Sequence, residues 1–193
     1  MNDLGIIVFK PLNLRKAFIL DEHKGMLQII IQDIAGCKLG GMITYFLKNR
    51  YNNYYLEHYK IESLPLSAGK KDIVFLHTVF DIIYAFTPLY NPMPAIFRHL
   101  TLLYDEKMIL YYDTAIWKKI FLARLLWLLG LYQEENMLAL AFLKKIEHIP
   151  IDMISIETLD LALNKALDQW INDVLTVYQR MNGKNKIFNI DFL

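Results

Sequence analysis

Cysteine is almost absent. Cys37 stands alone, so neither an intrachain disulfide framework nor a multi-cysteine zinc site can be built from this chain. Histidine is sparse and scattered: His23, His58, His77, His99 and His148 form no His-x-His or His-x-x-x-His pair, and no metal ligand set is expected. Nucleotide and hydrolase signatures are missing too. There is no Gly-x-Ser-x-Gly, Gly-x-x-x-x-Gly-Lys, Gly-x-Gly-x-x-Gly or His-Glu-x-x-His, and "LGG" at 39–41 is too short for a phosphate loop. The acidic pairs Asp21–Glu22, Asp105–Glu106 and Glu134–Glu135 read as solvated turns or helix starts rather than catalytic dyads. No cofactor and no enzymatic activity are expected.

A long uncharged helical run is also lacking. The most apolar stretch, "FLARLLWLLGLYQEEN" at 121–136, contains Arg124 and follows Lys118 and Lys119. Its uninterrupted part, Leu125 to Tyr132, is far shorter than the ~20 residues a membrane helix needs. Residues 82–97 carry no charge, but Pro88, Pro92 and Pro94 break them. The N-terminal "MNDLGIIVFKPLNLRK" has an acid at Asp3 and no long apolar centre, a poor signal peptide. A soluble, cytoplasmic protein without a membrane partner is expected. Charge of one sign is missing as well: the net charge is +1, with residues 1–65 slightly basic and the remainder slightly acidic. Bulk charge therefore announces no polyanion partner.

What is present is hydrophobic patterning of two kinds. Hydrophobic residues make up 55% of the chain, which excludes disorder as its general state. In the first 65 residues the segments 4–9, 16–20, 26–36, 42–49 and 51–65 are short, rich in β-branched and aromatic residues, and separated by turn signals such as "DEHKG" and "KLGG". Five short strands suggest a small sandwich or a five-stranded barrel of the OB type. From about residue 71 the pattern turns helical. Val74, Phe75, Thr78, Ile82 and Ala85 predict one stripe of a helix over 71–86. Pro94 opens the next helix, and another over 107–129 is capped by Gly130. A helix over 134–147 ends at Pro150. The last spans 157–181, with Leu159, Leu163, Leu167, Trp170, Val174 and Val177 on one face and Gly183 at its end. The fold expected is α+β: an OB-type barrel over 1–66, then an all-α domain over 67–193, with the boundary near "LPLSAGKK".

Two surfaces could bind. In the first half, Lys10, Arg15, Lys16, Lys48 and Arg50 alternate with Phe9, Phe18, Tyr45, Phe46 and Tyr51. Single-stranded nucleic acid is held in this way, cations on phosphates and rings under bases. The same residues equally describe a barrel filled by Phe and Tyr and rimmed by Lys and Arg. In the second half, Lys118 and Lys119 precede "IFLARLLWLLG", a cationic edge beside an apolar groove that suits an acidic-hydrophobic peptide. Core packing explains this run too, with Trp127 and Leu128 inside.

Taken together, these stretches resemble the bacterial DNA repair family RecO over most of the chain. "GIIVFKPLNLRKAFILDEHKGMLQIIIQDIAGCKLGGMITYFLKN" is similar to that family's first barrel strands, with His23, Lys24 and Gly25 at its turn. "DIIYAFTPLYNPMPAIFRHLTLL" resembles its first two helices, and "KKIFLARLLWLLGLY" its basic-Phe-x-x-x-Leu-Leu-x-x-Leu-Gly-aromatic helix. Many relatives then carry a four-cysteine zinc module, where "QEENMLALAFLKK" follows here; their basic loop is reduced to Lys38. The resemblance implies a recombination mediator without turnover, associated with the nucleoid. Such proteins bind single- and double-stranded DNA, anneal strands and, with a RecR partner, help load recombinase onto DNA coated by single-stranded DNA-binding protein. They dock that protein's acidic C-terminal tail on the helical domain. The DNA contacts implied are Lys10, Arg15, Lys16, Lys24, Lys38, Lys48 and Arg50. The tail contacts implied are Lys119 and Phe121, with Lys118 and Arg124 beside them. The alternative is a non-catalytic protein-interaction module of the same fold that barely touches DNA.

Overall fold

A computed structural model describes residues 3–11, 15–31, 36–51, 53–107, 114–131, 136–149, 154 and 160–181. Five strands form first: β1 (Asp3–Phe9), β2 (Lys16–Asp21), β3 (Gly25–Ile31), β4 (Met42–Arg50) and β5 (Asn53–Ser63). They close into a barrel in the order β1-β2-β3-β5-β4, with β4 returning to β1. All pairs are antiparallel except β3 with β5, where Ile29, Ile30 and Ile31 lie beside Tyr54, Tyr55 and Leu56. The inward residues of the alternating segments fill it. Ile7, Ile19, Leu27, Ile29, Ile43 and Tyr45 are all buried, and Cys37 joins them.

Six α-helices follow among the described residues: α1 (Leu66–Lys71), α2 (Ile73–Phe86), α3 (Pro94–Thr101), α4 (Ala115–Leu128), α5 (Met137–Ile146) and α6 (Leu161–Met181). Strand gives way to helix near residue 66, as the composition shift implies. The division into compact units falls later, at Met1–Glu106 and Lys107–Leu193. The reason lies in how α2 and its flanks meet the barrel. Tyr84 stacks on Phe9 at 3.9 Å and meets Phe18 edge-on at 4.8 Å. The Tyr104 hydroxyl donates to the Gly40 carbonyl at 2.7 Å. Gly40 sits at φ +72°, and a Cβ there would come within 2.9 Å of the Phe80 ring, so this loop tolerates little else.

Several helix details differ from the sequence pattern. "LSAGKK" reads as a linker but forms α1, which begins after Pro65 and ends in Lys70 and Lys71, cations suited to a helix C-terminus. The helix expected over 71–86 starts at 73. Asp72 interrupts it and caps α2, its carboxylate accepting from the Phe75 amide at 2.9 Å. Of the expected α2 stripe, Phe75, Thr78 and Ile82 are buried and Ala85 is half-buried, while Val74 is 48% exposed.

In the second unit, α4 is capped at its start by Thr114 and at its end by Gly130 at φ +72°. There the Gly130 amide donates to Trp127 and the Leu131 amide to Leu126, the paired bonds of a Schellman turn. Trp127 and Leu128 are half-buried rather than central; the helix buries Trp117, Ile120, Phe121, Leu122, Leu125 and Leu126 instead. Asn136 caps α5 and donates its amide to the Ala166 carbonyl of α6 at 2.9 Å. On α6, Leu167, Trp170 and Val174 are buried as expected, whereas Leu163 and Val177 are half-buried. Leu159, Glu134–Glu135, Pro150 and Gly183 lie outside the described residues. Among the described residues no helix is long and apolar enough to cross a membrane.

Candidate functional site

The barrel and the α4 helix treat their cations differently. On the barrel, Arg15, Lys16, Lys24, Lys38, Lys48 and Arg50 are all exposed, and Lys10 is half-buried. Lys10 donates to the Cys37 carbonyl at 3.0 Å, so it also tethers the segment after β3. Lys24 pairs with Asp3 across the barrel end. Lys48 and Arg50, two residues apart on β4 and so on the same face, share Glu57 at 3.2 and 3.7 Å. These pairs remain about half exposed, and an exposed ion pair contributes only about 0–1 kcal/mol.

The aromatics divide as sharply. Phe9 and Phe18, both half-buried, pack against Tyr84. Tyr45 is buried to 1%. Phe46 and Tyr51 remain, at 51% and 95% exposure. Phe46 projects from β4 opposite His58 of β5. Beside Phe46 runs a groove of about 430 Å³, lined by Thr44, Phe46, His58, Lys60 and Glu62 among others. Lys60 and the Thr44 hydroxyl donate to Glu62 at 2.8 and 2.7 Å, and these bonds, that of Lys60 foremost, hold its carboxyl below the usual carboxylate range. His58, Lys60 and Glu62 escaped sequence reasoning, although their places on alternate outward positions of β5 follow from the period of two.

The β2–β3 turn is a structural node rather than a solvated turn. Asp21 is 2% exposed, which corrects the reading of Asp21–Glu22. Its carboxylate accepts from the His23 and Lys24 amides at 2.8 and 2.7 Å and from the Tyr45 hydroxyl. Burial first, then the bond to Asp21 and its charge, push the Tyr45 phenol well above its ordinary range.

Two exposed tyrosines occupy strained backbone. Tyr51 turns β4 into β5 at φ +50°, and Tyr90, between α2 and α3, sits at φ +59°. Side chains other than Asn, Asp and Gly rarely adopt this region, at a cost of about 1–2 kcal/mol. Tyr90 is pinned there: its amide donates to the Met26 carbonyl at 2.9 Å, and its ring lies 6.1 Å from that of Tyr54.

On α4 the implied tail contacts are committed inside the second unit. Phe121 is fully buried and stands 5.0 Å from Trp117. Lys119 is 3% exposed, bonded to Asn164 at 2.5 Å and paired with Asp168 at 2.6 Å, both on α6. Arg124 donates to the carbonyls of Glu147 and Ile149, each at 2.7 Å, where α5 ends. Partial burial lowers its pKa, opposed by the charge of Glu147. Lys118 and Arg124 are both half-buried.

Among the described residues no cluster of three His, Cys, Asp or Glu side chains could hold a metal ion. No protein-family model matches the chain, and no curated protein matches it either. The class defined is therefore architectural: a closed five-stranded barrel followed by helices.

Proposed function

We propose that this chain is a DNA-binding mediator of the RecO type, built on an OB-type barrel and without catalytic turnover. The strand order, with β3 parallel to β5 and β4 closing on β1, supports the OB assignment. The observation that carries the reading is the β4–β5 surface, where Lys48 and Arg50 stand exposed beside the open rings of Phe46 and Tyr51. Cations that take phosphates and rings that take bases are what a single strand requires. On this reading the protein anneals complementary strands. With a RecR-like partner it helps load recombinase on DNA coated by single-stranded DNA-binding protein. On this reading half-buried Lys118 of α4 contacts the acidic tail.

The test is fluorescence anisotropy of labelled single- and double-stranded DNA as salt is raised. Measurable binding at ~50 mM salt, weakening linearly on a log–log plot, is expected from counterion release. The Lys48→Glu/Arg50→Glu double variant is expected to weaken it about ten-fold or more. Absence of binding at ~50 mM salt in the wild type sinks the DNA role.

A second reading is a protein-interaction module that barely contacts DNA. The ion pairs favour it: Asp3 offsets Lys24, and Glu57 offsets one of the two charges of Lys48 and Arg50. It predicts capture of an acidic tail peptide that Lys118→Glu weakens, with no DNA bound.

A further inference from the structure

We infer that Tyr51, Tyr54 and Tyr90 form a stacking platform at one rim of the barrel that takes unpaired bases, so that single strands are bound in preference to duplex. This rests on the DNA-binding reading above and specifies its substrate.

The topology brings the three together. Strands β3 and β5 run parallel and so start toward the same barrel end; Ile29 pairs with Tyr54, which sets Asn53 level with Gln28, three residues beyond Gly25. The β4–β5 turn carrying Tyr51 is at that end. So is the segment after α2, because Leu89 bridges to Met26 and the Tyr90 amide bonds Met26. That segment packs tightly: a Cβ on Gly25, itself at φ +78°, would fall 1.9 Å from the Asn91 carbonyl oxygen. Tyr90 is thus held on a rigid backbone, with its ring 6.1 Å from Tyr54 and 53% exposed.

Turn formation does not call for a ring at 51 or 90, and packing engages only that of Tyr90, against Tyr54. Tyr51 is 95% exposed and holds a left-handed φ that Asn or Gly would adopt with less strain. Tyr90 meets the same objection at φ +59°. Strained backbone under a solvent-exposed ring is a mark of a functional surface. The groups around the rings choose the occupant. Arg50 adjoins Tyr51, Lys48 lies one pleat further on the same face, and Lys24 stands on the β2–β3 turn at this end. Their side chains are 56%, 48% and 47% exposed even while paired to carboxylates. Planar rings flanked by reachable cations fit a base and its phosphate. A duplex keeps its bases stacked inside and offers only phosphate.

The experiment compares a labelled 12-nucleotide single strand with its duplex, using wild type, Tyr51→Ala, Tyr90→Ala and Tyr51→Phe. Circular dichroism melts confirm that each variant is folded. The expected result is that each alanine variant binds the single strand about ten-fold more weakly, the loss of one base–ring stack. Duplex binding should change less than two-fold, and Tyr51→Phe should bind as wild type does. Because Tyr51→Ala leaves a wholly exposed turn position, a folding failure at Tyr90→Ala does not remove the test. If wild type binds single strands and folded Tyr51→Ala binds equally well, the platform is overturned and DNA binding stands. If wild type binds neither form, the DNA reading itself has failed and the platform with it.

Discussion

The β4–β5 face of the barrel and the α4 helix carry the same kinds of residue, cations next to aromatics, and the fold uses them in opposite ways. On β4 the pleat sends Ile43 and Tyr45 inward and Phe46, Lys48 and Arg50 outward. On α4 the apolar residues run all round the helix; Lys119 is buried with them and Arg124 is half-buried. Lys119 and Arg124 then become fasteners, one to the side chains of α6 and one to the end of α5. A basic-aromatic string in sequence is therefore not a surface until the period of the element and the number of its buried sides are known.

The largest test of this contrast is charge reversal at one position in each region. Lys119→Glu places a carboxylate in an enclosed site facing Asp168 and Asn164. It is expected to destabilise the protein by about 3 kcal/mol, read as a lowered urea midpoint. Lys48→Glu, on an exposed pair, should cost less than about 1 kcal/mol. Equal effects would erase the distinction. One consequence is practical: Lys119→Glu cannot test tail binding, because it tests folding first, whereas Lys118→Glu can.

The same logic separates what was readable from what was not. All five strands, the Pro94 helix start and the Gly130 cap follow from local chemistry: alternation, a fixed proline φ, a glycine that accepts positive φ. What escaped is tertiary. Nothing local distinguishes Asp21 from a solvated turn acid; its burial comes from Tyr45, 24 residues away. Nor does spacing show that Phe9 and Phe18 face Tyr84 while Phe46 faces solvent. Tyr90 belongs to the site only because residues 88–91 fold back onto the start of β3.

A second test compares the buried node with the open face through pH. Tyr45 and Tyr104 both have phenol pKa values raised by burial, in the case of Tyr45 also by Asp21. A group whose folded pKa lies above its unfolded one adds stability that is complete below the unfolded value, 10.0 for tyrosine, and is lost as pH rises beyond it. Each is expected to contribute a fall of up to about 1.4 kcal/mol per pH unit above that point. Tyr45→Phe should remove one such slope in alkaline urea titrations, while losing about 1 kcal/mol at neutral pH from the missing bond to Asp21. The exposed Tyr51 should leave the slope untouched; an unchanged slope in Tyr45→Phe would refute the node's role.

The smallest effect is the most discriminating within the barrel. Tyr51 holds φ +50° in full solvent, so its ring adds no packing to offset the strain. Asn adopts this conformation readily, and Tyr51→Asn is expected to stabilise the fold by about 0.5–1 kcal/mol, seen as a higher urea midpoint with unchanged m-value. The same substitution removes the ring, so a stabilised variant with weakened single-strand binding would show stability given up for a contact made outside the molecule. A Tyr51→Asn variant no more stable than wild type would mean that the turn itself prefers tyrosine, and the strain would cease to point to a ligand.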